Sequence, residues 1–124
     1  YGVELITDFL SKNSHLPCGR IFLCKNSRVA IGDPLGEILN SLMTIVIIGE
    51  RPGLTSFDSL GIYLTYSPKM GLTDADRNCI SNICQSGLTL PLAQKPFGYL
   101  VNKSLQDKIS GINLKEDSSK LFIK

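Results

Sequence analysis

Glu50 is the residue whose surroundings most suggest chemistry, because it sits in Gly49-Glu50-Arg51-Pro52-Gly53, directly after a long apolar run. Two glycines let a backbone turn sharply or approach a ligand closely, and the proline between them stiffens the loop. A carboxylate fixed in that way accepts hydrogen bonds and donates none, so it suits a ligand fringed with N–H or hydroxyl groups, such as an amide-rimmed macrocycle or a ribose. Arg51 has two uses, meeting a phosphate or pairing with Asp58. The plain alternative is a surface turn that happens to carry a Glu and an Arg, since five-residue loop motifs are weakly specific.

The other reactive side chains have blander readings. Cys79 follows Asp76-Arg77-Asn78 and would be a ligand contact or a reactive thiol near Arg77, but cysteines are usually small buried hydrophobes, and burial is the expectation. Gly32-Asp33-Pro34-Leu35-Gly36 has glycines at a helix start yet lacks both the Walker Lys-Ser/Thr and the dinucleotide glycine spacing, so it reads as a cap. Asp74 and Asp76 suit the first turn of a helix, which favours acids for dipole reasons alone. His15 is the one histidine, set in a loop-like stretch without a nucleophile elbow, which argues against a Ser-His or Cys-His hydrolase. Cys18, Cys24, Cys79 and Cys84 are spaced poorly for structural zinc and read as free thiols in a reducing compartment.

These groups need elements to position them. Val3, Ile6, Phe9 and Leu10 recur at helical spacing, with Lys12-Asn13-Ser14 as a helix end. Residues 20–25 enclose Ile21-Phe22-Leu23-Cys24 and read as a buried strand, and residues 28–31 as a second short extended piece. Asp33-Pro34 starts a helix over residues 34–40, with Asp33 as its cap. Residues 42–49 are apolar almost without alternation, the pattern of a strand covered on both faces. Strand, helix and strand in that order make a βαβ unit with parallel strands, so the expected fold is α/β, a Rossmann-like three-layer domain with a mainly parallel sheet. Residues 49–53 then lie at the carboxyl end of a strand, where such sheets bind ligands. A further strand is expected over residues 61–66, the capped start of a short helix at residues 73–76 and an extended piece at residues 80–83. Phe97, Leu100, Val101, Leu105 and Ile109 share a helical face that begins near Pro96, not Pro91, and stops at Ser110-Gly111.

The 124 residues, 43% hydrophobic and 19% charged, fit one α/β domain over residues 1–117, with residues 118–124 as a frayed tail. A net charge of +2 from 13 basic and 11 acidic residues, scattered along the chain, gives no footprint for nucleic acid or anionic lipid. The longest apolar run, residues 43–48, is far short of the roughly 20 residues that span a bilayer. Tyr1 in place of Met, with no secretory pattern behind it, suggests a fragment or a processed product.

Read together, Arg28-Val29, Gly32-Asp33-x-x-Gly36-Glu37-Ile38-Leu39, Ile48-Gly49-Glu50-Arg51-Pro52-Gly53-Leu54, Asp58-Ser59-Leu60, Tyr66-Ser67-Pro68 and Thr73-x-Ala75-Asp76-Arg77-x-Cys79-Ile80-Ser81-Asn82-Ile83 resemble the light chain of ethanolamine ammonia-lyase in its C-terminal half. The similarity runs over residues 16–116. It implies a cobalamin-binding domain, incomplete at its N-terminal edge, that clamps adenosylcobalamin against a catalytic heavy subunit, with ethanolamine converted to acetaldehyde and ammonia on that partner. By the same resemblance the cofactor contacts are Val29, Glu50 and Cys79, no catalytic residue or metal ligand belongs to this chain, and the setting is cytoplasmic, with a bacterial microcompartment as one location. No Asp-x-His-x-x-Gly segment is present, consistent with a cobalamin that keeps its own lower base. Ser27 and Ser86 stand where the family usually has glycine, and Pro96 interrupts a helix that is normally Ala-rich. The rival readings are a truncated homologue serving as a structural or interaction module, and a stand-alone nucleotide- or phosphate-binding α/β domain.

Overall fold

The structure, a computed structural model, describes residues 2–12, 14, 16–50 and 59–114. Helix α1 (Gly2–Lys12) leads through an extended stretch and a 3-10 turn (Val29–Ile31) into the short helix α2 (Gly32–Ile38). Strands β1 (Met43–Gly49), β2 (Leu60–Tyr66) and β3 (Arg77–Ile83) follow, then the long helix α3 (Leu90–Asp107) and a last 3-10 turn (Gly111–Asn113). No described helix is long and apolar enough to cross a membrane.

The sheet overturns the expected parallel, Rossmann-like fold. It has three strands in the order β1-β2-β3, and both pairings are antiparallel. The βαβ reading failed at its first strand. Ile21, Phe22 and Leu23 are exposed, Leu23 at 99%, in a segment without secondary structure that ends in a turn with Asn26 at a φ of 53°. Four apolar residues with no neighbouring ladder cannot satisfy their backbone as a strand. Of residues 28–31, expected as an extended piece, Val29–Ile31 form the 3-10 turn and only Arg28 ahead of it is extended. The strands at residues 42–49 and 61–66 are present within a residue of the expected limits, and the piece at 80–83 is the end of the longer β3.

β1 lacks polar alternation because each face of the sheet carries a cover. One face, with Ile62, Leu64, Ile80 and Ile83, packs on Ala93, Phe97, Leu100 and Val101 of α3, and Leu114 closes this core. Leu10 of α1, Met43 and Ile47 border it. The side chains of Val3 and Phe9 lie outside the described set. Central β2 buries four of its seven residues, whereas edge strand β1 is only half-buried. Apolar composition here reports a strand touched on both sides at an edge, which the pattern alone cannot tell from a central parallel strand.

On the opposite face α2 lies close against β1. A Cβ on Gly32 would stand 2.9 Å from Val46 Cγ2, and one on Gly36 would collide with Pro68 and come within 2.7 Å of Thr44 Cγ2. The two glycines therefore serve helix-to-sheet approach, and Asp33 is not the cap. α2 starts one residue before it, Ile31 is the cap residue without a side-chain bond, and the Asp33 carboxylate turns inward to Arg77. Thr73 does cap as expected, in a full capping box with Asp76, although the turn it opens (Asp74–Asp76) is 3-10 and runs straight into β3.

α3 corrects another expectation, since it begins at Leu90 with Pro91 in its first turn and continues through Pro96. Pro96 is buried in the helix interior, and the backbone bond it forgoes falls to the carbonyl of Leu92, whose residue is 62% exposed. Burial against the core outweighs the local penalty. The helix ends on Lys108 at a φ of 58°, and Gly111, at a φ of 87°, exchanges two bonds with the buried Asn78 side chain. A Cβ on Gly111 would collide with the carbonyl of Ala75, so only glycine lets this turn seat on β3. His15, Asn13, Arg51, Pro52, Gly53, Leu54, Asp58 and residues 118–124 lie outside the described residues.

Candidate functional site

Strand pairing assembles the site on the α2 face of the sheet. Along β1 the residues Thr44, Val46 and Ile48 alternate onto this face, opposite Thr65, Tyr63 and Gly61 of β2, and Cys79 of β3 faces Tyr63 from the other side. The ladder runs one pair further, because Glu50 N–H donates to the Ser59 carbonyl at 3.0 Å. Four successive rows result: Thr44–Thr65–Arg77 under α2, Val46–Tyr63–Cys79, Ile48–Gly61, and Glu50–Ser59. α2 is only seven residues long, and its glycine contacts reach no further along β1 than Val46. Tyr63 and Glu50 are half-buried, and Cys79 is exposed.

Glu50 is held by two donors from other elements. Its Oε2 accepts from Ser59 Oγ at 3.0 Å, and its Oε1 accepts from the backbone N–H of Asn82 at 2.6 Å. The second bond depends on an irregularity in β3. Leu60 pairs with Ile83 while Ile62 pairs with Ile80, so β3 carries one extra residue between these pairs. Asn82, at a φ of 58°, takes up that bulge, and Asn tolerates the left-handed conformation better than most residues. The turn behind the bulge keeps its shape through Leu88 N–H to the Asn82 carbonyl at 2.9 Å, and a Cβ on Gly87 would collide with Asn82. Glu50 reaches the bulge across Gly61, where an added Cβ would stand 3.6 Å from Oε1 and 3.2 Å from the Tyr63 ring.

Tyr63 and Cys79 are ladder partners across β2 and β3, and each side chain bears on the other's proton. Interaction with Cys79, then burial and the negative charges of Glu50 and Asp74, pushes the phenol up to about 12. Burial also raises the thiol, with Glu50 and Asp74 adding to it, against a lowering by Tyr63. Both groups therefore stay protonated at neutral pH. Cys79 is exposed, which corrects the expectation of a buried cysteine, but it is no activated thiolate. Its neighbour on the same face, Arg77, is committed elsewhere.

Arg77 forms a two-pronged pair with Asp33, Nη1 to Oδ1 at 2.6 Å and Nη2 to Oδ2 at 2.9 Å, with side chains only 4% and 5% exposed. Its Nε donates to the exposed Asp74 at 3.3 Å. Hydrogen bonding to Asp33 raises the guanidinium further above its usual value, against a lowering by burial. The pair ties α2 to β3 and fixes the floor next to Tyr63 and Cys79. Asp74 thus serves this Arg, and it and Asp76 form no paired-carboxylate site.

Of the three residues singled out by sequence, two meet and one stands apart. Glu50 and Cys79 flank Tyr63. Val29 opens the 3-10 turn ahead of α2, half-buried and without a polar group, three residues before the Gly32 that touches Val46. Its flanking residues Arg28 and Ala30, with Asn26, Asp33, Met70 and Leu72, line an open cleft of about 520 Å³. The expected position of Gly49 and Glu50 at the end of a parallel strand does not hold, since β2 runs antiparallel to β1, and among the described residues there is no switch point beside Glu50. Tyr63, Ser59 and Asn82 were missed. Gly61 two residues before Tyr63, and an Asn five residues before Gly87, were the available signals. Among the described residues, no group of three or more His, Cys, Asp or Glu side chains is placed to hold a metal ion.

Comparison with known proteins gives the chain its relatives. The family model of the ethanolamine ammonia-lyase light chain matches residues 3–115. A protein of Pseudomonas putida named ethanolamine ammonia-lyase small subunit is 50% identical over 101 residues, covering 82% of this chain and 37% of the relative. A protein of the same name from Xanthomonas campestris is 47% identical over 113 residues, covering 91% of this chain and 42% of the relative. The chain thus spans well under half the length of these relatives. The match takes in the strands and loops that carry Val29, Glu50, Tyr63 and Cys79, and by it this chain belongs to the ethanolamine ammonia-lyase light chain family.

Proposed function

We propose that this chain supplies part of the adenosylcobalamin site of an ethanolamine ammonia-lyase and works beside a heavy subunit that carries the substrate pocket. The observation that carries this reading is the Glu50 carboxylate, fixed by Asn82 N–H and Ser59 Oγ next to two protonated donors, Tyr63 and Cys79. A carboxylate has room for about four hydrogen bonds, and the described residues use two, so toward them Glu50 keeps acceptor capacity for a ligand. The residues present fit the cofactor, because a corrin rim edged with carboxamides needs acceptors for its N–H groups and donors for its carbonyls.

Bound adenosylcobalamin supplies the radical chemistry through its cobalt–carbon bond. The chain's own residues bind and orient. Glu50 accepts from amide N–H groups, Val29 offers apolar contact, and Cys79 lies against the ligand as a neutral thiol. Holding Glu50 in place before binding lowers the ordering cost of the complex. The family relationship and the acidic field around Tyr63 favour this reading over a stand-alone nucleotide- or phosphate-binding domain, which needs cations where Glu50 and Asp74 stand.

The test is to mix the chain with a cognate heavy chain and adenosylcobalamin, separate free cofactor, and measure the cobalamin absorbance retained. Retention is expected to depend on this chain, and Glu50→Ala is expected to weaken it more than Asp74→Ala does. Equal effects of the two substitutions argue against the site. Retention that is the same with and without the chain supports instead a structural or interaction module.

A further inference from the structure

Tyr63 has the geometry of a ligand contact as well as of a sheet residue. Its ring does not stand straight up from β2. A Cβ built on Gly61 would lie 3.2 Å from Tyr63 Cε1 and 3.8 Å from the hydroxyl oxygen, so the ring is laid back along the strand over the gap left by that glycine. The same point lies 3.6 Å from Glu50 Oε1. A hydroxyl and a carboxylate oxygen are thus both within 4 Å of one position above the sheet. Gly61 is itself buried, which fits a ring resting on it.

The pair is chemically complementary. Glu50 only accepts, whereas a phenol can donate, and a primary carboxamide presents an N–H donor and a carbonyl acceptor side by side. The polar residue paired with Tyr63 on the neighbouring strand is Cys79, whose sulfur is only a weak acceptor. An amide carbonyl is the stronger acceptor, and the acidic neighbours Glu50 and Asp74 keep the phenol protonated for it. The thiol is left facing the ligand from the next strand.

We propose that Tyr63 and Glu50 form a clamp for one carboxamide side arm of the bound corrinoid, with Tyr63 donating to its carbonyl and Glu50 accepting from its N–H. This assignment rests on the cofactor reading above and adds a residue and a ligand group to it. Gly61 is the positioning element, since it lets both side chains converge.

The experiment measures the affinity for adenosylcobalamin, by absorbance titration, of the complex between the complete light chain and its heavy chain. Tyr63→Phe keeps the ring and removes one hydrogen bond, so affinity is expected to fall about five- to tenfold. Gly61→Ala keeps the hydroxyl but moves the ring, and a several-fold loss is expected there too, which covers the case of a Tyr63→Phe chain that does not fold. Lys103→Ala, on α3, leaves affinity unchanged. A corrinoid with a single side-arm amide hydrolysed to the acid supplies the second readout: repulsion by Glu50 weakens the isomer altered at the clamped arm, and Glu50→Gln restores it. Wild-type affinity in both Tyr63→Phe and Gly61→Ala overturns the clamp while leaving the cofactor reading intact. A wild-type light chain that adds nothing to the heavy chain's affinity overturns both.

Discussion

Replacing Asp33 by alanine removes the buried carboxylate paired with the Arg77 guanidinium, leaving it the Thr65 hydroxyl at 3.4 Å, and tests whether α2 is locked to the sheet by that pair. Both side chains are about 95% hidden, and both prongs are of hydrogen-bond length, 2.6 and 2.9 Å. Breaking such a pair from one side leaves an uncompensated charge and costs about 3–5 kcal/mol. Asp33→Ala belongs at the lower end, about 3 kcal/mol, because Arg77 retains Asp74 at 3.3 Å, and that carboxylate, 93% exposed, is weakened by solvent. Arg77→Leu belongs nearer the upper end, since it strands the Asp33 carboxylate between α2 and the sheet. Urea unfolding followed by circular dichroism reads this directly. With an m-value of about 1.5–2 kcal/mol/M, a loss of about 3 kcal/mol moves the midpoint down by about 1.5–2 M. The double variant Asp33→Ala/Arg77→Leu is expected to lose much less than the sum of the singles, because the two sites share one interaction. Single losses below about 1 kcal/mol, or simple additivity, would refute the reasoning.

Gly36→Ala drives a methyl group into Pro68 and Thr44 and is expected to destabilise by about 1–3 kcal/mol, whereas Gly19→Ala, which meets nothing, is near neutral; equal unfolding midpoints would contradict the packing of α2. Ser110→Ala unpairs Tyr66 N–H, now bonded to Oγ at 2.7 Å, and the Asp76 carbonyl at 2.6 Å, at a cost of about 1–3 kcal/mol in the same assay. An alkaline ultraviolet titration is expected to show one tyrosine ionising late, near pH 12, and Tyr63→Phe to abolish that phase. The raised phenol means the folded chain holds a proton that the unfolded chain sheds near pH 10, so this contribution to stability is whole below pH 10 and is lost as pH rises toward 12. A titration curve unchanged by Tyr63→Phe would place the late phase elsewhere.

Local signals were legible in the sequence where one physical cause dominated. Residues 42–49 and 61–66 are rich in strand formers, Thr73 caps its turn, and Phe97, Leu100 and Val101 do share the buried face of α3. What composition hides is which neighbour pays the strand's backbone bonds. An apolar run fits a parallel centre or an antiparallel edge equally well, and the false strand at Ile21-Phe22-Leu23-Cys24 tipped the choice toward parallel. Tertiary contacts decided the remaining differences. Asp33 abandoned a cap for Arg77, 44 residues away, and Pro96 stayed in a helix because its ring is buried. Glu50 stood out from its glycine- and proline-bounded loop and Cys79 from resemblance, and the strand register brings both to the face that carries Tyr63. The bulge at Asn82 has no reliable local signature, since one extra residue in a strand appears only when the ladder is counted against its partner.

The most direct measurement of the central claim, that this face of the sheet meets the cofactor, is amide hydrogen exchange on the light chain held by its heavy chain, with and without adenosylcobalamin. The cofactor is expected to slow exchange at Asn82 and its neighbours in β3 and at residues 59–63, and to leave residues 102–106 of α3 unchanged. Unchanged exchange at Asn82, with slowing confined to the cleft around Asn26, Arg28 and Met70, would contradict it.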